Sequence, residues 1–329
     1  MRAFDLTTTV KKKTVLAAST GGHLSQLLRL SDEFEFIDDP LWITFENHQS
    51  RSMLKGRRTV FVPYIPPRGF SEAMNAVPIV RAALKEERHD VAISTGAALA
   101  AVVLPQSAAM GRSSVYIESI SRFLGPSLTG RMMRFTPGVQ TYTQHESWAS
   151  GRWQLGPSVL KTFKTVPSEA QLGRPLRIFV TLGTIKPYKF LSLITNVQRI
   201  APSDCEIFWQ LGESIDAPVN IGEKVDSFSS DAFDSKVNWS DIVISHSGVG
   251  SALRVMELGK MPILVPRRSR RGEHVDDHQS QVADVLSAEG LAIRAEVDEL
   301  NLELLKMAMD RKVIGGGMTD AGNNGVGRS

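Results

Sequence analysis

Cysteine is almost absent: Cys205 is the only one in 329 residues. A lone thiol excludes an intrachain disulfide and any metal site built from several cysteines, and it fits a reducing cytoplasm. Long apolar runs are missing too. The best candidate for a membrane span, residues 91–110, is broken by Ser94, Thr95, Gly96, Pro105 and Gln106. It reads as a core strand followed by an alanine-rich helix. The N-terminal lysines lead into no apolar stretch of signal-peptide type, so any membrane contact is expected to be peripheral. Excess charge is small: Lys+Arg 38 against Asp+Glu 35 leaves +3, too little to argue for a nucleic-acid partner. The basic residues are nonetheless clustered, at 11–13 and at Arg267, Arg268, Arg270 and Arg271.

What is present is ordinary for a globular protein, with 42% hydrophobic and 22% charged residues. The length suits two domains of about 150 residues each. Short apolar runs at 14–18, 41–45, 91–93 and 115–117 alternate with helical patterns such as Leu24, Leu27 and Leu28. That alternation predicts a parallel sheet covered on both faces. The pattern lapses and then restarts with strands at 177–181 and 206–210 around a helix at 190–200. The expected organisation is a domain over 1–160, a linker over 161–175, a second domain over 176–314 and a disordered tail over 315–329. The fold class is α/β, with two tandem doubly wound, Rossmann-like units whose sheets face a central cleft at their carboxyl ends.

Residues 241–281 carry the most chemistry. A buried strand, Ile242 to Ile244, runs into the turn His246-Ser247-Gly248-Val249-Gly250-Ser251, then a helix, a second apolar strand and the arginine cluster. Such a turn at the mouth of a parallel sheet offers backbone N–H groups and the positive end of a helix to a phosphate. Glu257 lies near the far end of that helix. It either hydrogen-bonds a ribose diol or is a solvated helix residue. Arg267 and Arg268 are either a solvated face or a clamp that neutralises diphosphate. His278 and Gln279 open the next helix, as readers of hydroxyl and phosphate or as ordinary helix-start residues.

Two more turns follow strands. Ser19-Thr20-Gly21-Gly22-His23 precedes the first helix, whose positive end would keep the His23 imidazole neutral and fit to accept a proton. The alternative is a tight βα turn with an exposed histidine. Thr181-Leu182-Gly183-Thr184 either admits a pyrophosphate or a nucleobase edge, or is a strand end with an N-capping threonine. Gly248-x-Gly250 begins a dinucleotide fingerprint, and the arginines after the next strand would suit a ribose 2′-phosphate. Position 253 is Leu, however, so an NADP-dependent oxidoreductase is the weaker competitor. No Asp-x-Asp pair occurs. A divalent metal bridging a diphosphate therefore has no obvious ligands, and no cofactor is expected.

Through these residues the second half resembles the catalytic subunit of the two-part N-acetylglucosaminyltransferase of dolichol-linked oligosaccharide synthesis. It is also similar to the C-terminal domain of glycosyltransferase family 28. The residues concerned are 181–184, 241–251, Glu257, Gly259-Lys260-x-Pro262 and Asp277-His278-Gln279. The first half resembles the acceptor- and membrane-binding partner subunit, through 19–23, 93–96, 116–122 and 127–131. Bacterial exopolysaccharide and capsule enzymes have the same two parts. The resemblance implies a GT-B fold, a UDP-sugar donor, an acceptor saccharide on polyprenyl diphosphate, and a place at the cytoplasmic face of the cell membrane. With no Asp-x-Asp pair to hold a metal, the expected reaction is metal-independent, inverting transfer. Donor binding would fall to Gly183, Thr184, His246, Ser247, Gly248, Gly250, Ser251, Glu257, His278 and Gln279. The acceptor and its diphosphate would meet Gly21, Gly22, Arg122, Arg267 and Arg268. His23 is the expected base, with Glu118, at the end of a strand directed to the same cleft, as the second choice. A non-catalytic UDP-sugar-binding module remains an alternative, and homo-oligomerisation is left open.

Overall fold

The computed structural model describes residues 12–66, 69–168, 173–183, 187–227, 229–274 and 278–315. The chain divides into two compact units, Met1–Lys161 and Thr162–Ser329.

In the first unit the order is β1 (Thr14–Ala17), α1 (Gly22–Ser31), β2 (Leu41–Phe45), α2 (His48–Met53), β3 (Thr59–Val62) and α3 (Phe70–Glu87). Then come β4 (Val91–Ser94), α4 (Ala97–Ala109), β5 (Ser113–Ile117), α5 (Leu128–Phe135), β6 (Val139–Thr143) and β7 (Trp153–Leu155). The sheet order is β3-β2-β1-β4-β5-β6-β7, and every pairing is parallel. Strands β1, β2 and β4 are buried along their whole length, as expected of a sheet covered on both faces. Helix α4 is apolar nearly all round and packs against α3, α5 and the sheet, so the 91–110 stretch is core, as its interruptions predict. No helix among the described residues is long and apolar enough to cross a membrane.

The second unit contains β8 (Phe163–Pro167), β9 (Arg177–Thr181), α6 (Leu191–Ile200), β10 (Glu206–Gln210), β11 (Glu223–Val225), α7 (Ser230–Trp239) and β12 (Ile242–Ser245). It continues with α8 (Val249–Glu257), β13 (Pro262–Leu264), α9 (His278–Ala288), β14 (Ile293–Arg294), α10 (Leu302–Met309) and β15 (Arg311–Gly315). Its main sheet runs β11-β10-β9-β12-β13-β14, again all parallel. Helix ends are closed locally: Ser229 accepts from the Ala232 amide at the start of α7, and Asn301 from two amides at the start of α10.

Strand β8 corrects the sequence expectation of an irregular linker over 161–175. It pairs antiparallel with β15, Thr165 opposite Val313 and Phe163 opposite Gly315. Gly315, read as the first residue of the tail, ends that ribbon, while 316–329 lie outside the described residues. In each sheet the strand order reverses once, between β1 and β4 in the first unit and between β9 and β12 in the second. Loops diverge at such a point and leave a crevice outside the strand ends, where doubly wound folds bind ligands.

Candidate functional sites at the two sheet reversals

In the first unit the crevice is formed by the loops after β1 and β4. Gly21 caps α1 at φ 85°, and Gly96 caps α4 at φ 120°. Ala97 follows at φ 60°, a region costly for a residue with a Cβ and often found at functional loops. His23 stands in the first turn of α1 and is half-buried. Its Nδ1 lies 2.8 Å from the Thr95 carbonyl, and the Thr95 hydroxyl donates to the His23 carbonyl at 2.7 Å. A carbonyl only accepts, so Nδ1 carries the proton and Nε2 is the bare acceptor. Burial lowers the His23 pKa below its usual 6.5 against the opposing pull of the Thr95 bond and the Glu118 charge. Gly96 provides the room: a Cβ there would sit 3.1 Å from the His23 ring and 3.1 Å from the Tyr116 hydroxyl. Space over Gly21 is open, and over Gly22 only the Gln26 amide comes near. The Ser19 hydroxyl beside them is buried without a partner.

Glu118 is placed differently from expectation. It is buried, and its carboxylate accepts from the Tyr116 hydroxyl (3.1 Å), the Ser119 amide (3.1 Å), the Ser127 amide (2.9 Å) and the Ser127 hydroxyl (3.1 Å). Those four donors occupy the four lone-pair positions of a carboxylate. Glu118 therefore fastens the 119–127 loop and has no free oxygen with which to take a proton. Gly130 of α5 makes the space it fills, since a Cβ there would overlap the carboxylate. Arg122 is exposed on that loop, near enough for its charge to help lower the His23 pKa. Sequence reasoning missed Gln26, which joins α1 to the loop by accepting from the Ile120 amide at 3.0 Å. The available signal was a glutamine set between Leu24 and Leu27 on the apolar face.

In the second unit the crevice is lined by the ends of β9 and β12. Gly248 caps the start of α8, and Ser247 just before it is held at φ 63°. The Ser247 hydroxyl is buried without a partner, while Gly250 is exposed with open space above it. Ser251 is half-buried in the first turn. First-turn amides without a side-chain cap, the helix dipole and an uncommitted hydroxyl are the kinds of donor that receive an anion elsewhere.

His246 fills the space between the two turns. A Cβ on Gly183 or on Gly248 would come within 2.5 Å of its Nε2, so both glycines are required by the imidazole packed against them. Its Nδ1 faces the Thr181 carbonyl at 3.3 Å. Burial, and then the Arg267 charge, lowers its pKa to about 4. Glu257 is half-buried and paired with Arg254 at 2.9 Å, and Arg254 also binds Asp234 of α7. Thr184 lies outside the described residues. His278 begins α9, and its side chain lies outside them too.

The arginines depart from expectation. Arg267 is fully buried, and desolvation pulls its pKa down to about 10. Its Nη1 donates to the carbonyls of Tyr188 (2.9 Å) and Glu273 (3.2 Å), and its Nη2 to that of Leu182 (2.6 Å). Arg268 is half-buried and paired with Glu296 through Nε at 3.1 Å and through Nη2. Neither is the solvent-facing clamp that a run of arginines suggests, because the chain turns inward directly after β13. Gln279 is buried, and its side-chain oxygen accepts the Arg267 amide at 3.0 Å.

Comparison with known proteins places this architecture. The fold is the GT-B fold: it matches a crystal structure of Acinetobacter baumannii MurG at TM-score 0.52 and 16% identity, covering 90% of this chain and 89% of that one. A putative UDP-N-acetylglucosamine 2-epimerase from Listeria monocytogenes aligns at TM-score 0.57 and 9% identity, covering 93% of both chains, so the fold alone does not fix the reaction. Residues 177–321 match the Glycosyltransferase family 28 C-terminal domain. Among relatives, the UDP-N-acetylglucosamine transferase subunit ALG13 of Cryptococcus neoformans is 44% identical over 70 residues, 21% of this chain and 33% of that protein. The UDP-N-acetylglucosamine--N-acetylmuramyl-(pentapeptide) pyrophosphoryl-undecaprenol N-acetylglucosamine transferase of Pseudomonas syringae pv. tomato is 27% identical over 153 residues, 44% of this chain and 42% of that enzyme. The chain thus spans between a third and about two-fifths of these curated relatives.

Proposed function

We propose that the chain transfers a sugar from a UDP-sugar to a saccharide carried on a polyprenyl diphosphate, with inversion and without a metal ion, in the synthesis of a bacterial exopolysaccharide or capsule. The observation that carries this reading is the seat at the start of α8, inside the family 28 domain. It combines free first-turn amides, an uncommitted Ser247 hydroxyl and open space over Gly250. Those donors would take the diphosphate of the donor and hold the charge that develops as UDP leaves, the service a metal renders elsewhere. Ser251 and the 183–184 turn would complete the nucleotide site. Glu257, though paired with Arg254, would meet the ribose diol.

His23 of the first unit is the proposed base. Its Nε2 accepts the proton of the acceptor hydroxyl while that oxygen attacks the anomeric carbon, and Thr95 holds the tautomer that leaves Nε2 bare. Gly21, Gly22 and Arg122 would receive the acceptor's diphosphate. Working at the inner face of the cell membrane requires a surface that meets lipid. Helix α5 supports this, because Leu128, Met132 and Phe135 are exposed on one face beside Arg131 and Arg134.

Labelled UDP-sugars, offered one at a time with membranes and purified enzyme, test the reading. Label should enter the lipid extract with one donor, with UDP released. Interconversion of the UDP-sugar itself would point to epimerisation instead. Absence of uridine-nucleotide binding by calorimetry would exclude all uridine-based readings.

A further inference from the structure

Arg267 belongs to no part of the chemistry above, yet it is among the largest fully buried side chains of the molecule. Its contacts reach four separate stretches. Nη2 holds the Leu182 carbonyl, just after β9, at 2.6 Å. Nη1 holds the Tyr188 carbonyl ahead of α6 at 2.9 Å and the Glu273 carbonyl ahead of α9 at 3.2 Å. Its guanidinium lies over the Phe190 ring at 5.4 Å, and its own amide donates to Gln279 on α9 at 3.0 Å. Glu273, whose carbonyl it holds, is fixed in turn by Ser192 at 2.5 Å and by the Arg268 amide at 3.0 Å. Leu182 and Tyr188 flank the loop that follows β9, and Glu273 and Gln279 flank the loop that enters α9. Leu182 directly follows β9, whose end lines the crevice of the second unit.

A planar fork with five N–H donors reaches several carbonyls from one fixed position, whereas an ammonium is a compact point charge and cannot span them. Carbonyl oxygens otherwise left in a buried place without donors would pull these loops apart or draw in water. We infer that Arg267 is a positioning residue for the donor site: it ties Leu182 at the end of β9 to Tyr188 ahead of α6 and to Glu273 ahead of α9, and so fixes the strand end and the Gly183 turn that receive the nucleotide. It touches neither donor nor acceptor. This rests on the reading of the second unit as the UDP-binding one.

The test uses the full chain, unchanged and as Arg267→Lys and Arg267→Gln, with UDP titrated by calorimetry and transfer followed against donor and acceptor. In Arg267→Lys the donor KM should rise about tenfold or more, kcat and the acceptor KM should change less than threefold, and UDP affinity should fall in step with KM. Arg267→Gln should be worse than Lys on the same readouts. A folded Arg267→Lys protein with the parent's UDP affinity overturns the proposal, and so does a loss confined to kcat. If neither replacement folds, hydrogen exchange in the parent decides. Added UDP should slow exchange together in 182–190 and in 273–280, and protection of one stretch without the other overturns the coupling. A parent that binds no UDP sinks the donor-site reading itself, an outcome distinct from failure of the arginine's role.

Discussion

His23 is the residue on which the proposed chemistry turns, and its surroundings set two expectations. Replacement by Ala should lower kcat by about 100-fold or more, the usual scale of general-base catalysis, while UDP affinity stays within twofold by calorimetry. Unaltered turnover would remove His23 from the mechanism. Because burial lowers its pKa from 6.5, the acid limb of kcat/KM should have its midpoint below pH 6.5, activity falling as Nε2 is protonated; a midpoint above that value contradicts the geometry. The His23 turn was legible in the sequence as a glycine pair, a histidine and a helix start. Its partner Thr95 lies 72 residues away, and only the parallel neighbourhood of β1 and β4 brings the two together. Glu118 shows the limit of such reading. A carboxylate at a strand end looks like a base, and only the positions of Tyr116, Ser119 and Ser127 reveal that its lone pairs are spent.

At the scale of elements, strands with continuous apolar runs were read with their final limits: β2, β9 and β10 are where the sequence puts them. Strands β8 and β15 were missed. Most residues of β8 are exposed or half-buried, and a two-stranded ribbon lacks the buried run that marks a core strand. Arg267 was misread for a related reason. Four arginines in five residues look like a solvated patch, and the burial of one depends on a carbonyl 85 residues away. Helix α5 carries a prediction of its own. It buries Gly130 and Met133 and turns Leu128, Met132 and Phe135 outward at i, i+4 and i+7, flanked by Arg131 and Arg134, with no acidic residue between. An apolar stripe with arginines beside it suits anionic lipid. The double change Met132→Ser with Phe135→Ser should cut co-sedimentation with vesicles containing phosphatidylglycerol at least tenfold, because each buried side chain contributes about 1.5–3 kcal/mol. Undiminished vesicle binding would remove α5 as the lipid-facing element.

Across the whole molecule, four histidines, His23, His89, His145 and His246, have pKa values lowered chiefly by burial. The native state refuses protons that the unfolded chain accepts near pH 6.5, so their contribution is present above that pH and is lost as pH falls toward the native values. His246 alone, lowered from 6.5 to about 4, accounts for about 3 kcal/mol across that window. The urea midpoint should therefore be clearly lower at pH 4.5 than at pH 7.5, and an equal or higher midpoint would contradict the burial of these rings.

The ribbon of β8 and β15 has a topological consequence. Since Phe163 faces Gly315 across two antiparallel strands, the first and last described strands of the unit lie side by side. A few added residues would join them, and the backbone could be reopened at a surface turn such as Gly290 to give a circular permutant with the same sheet.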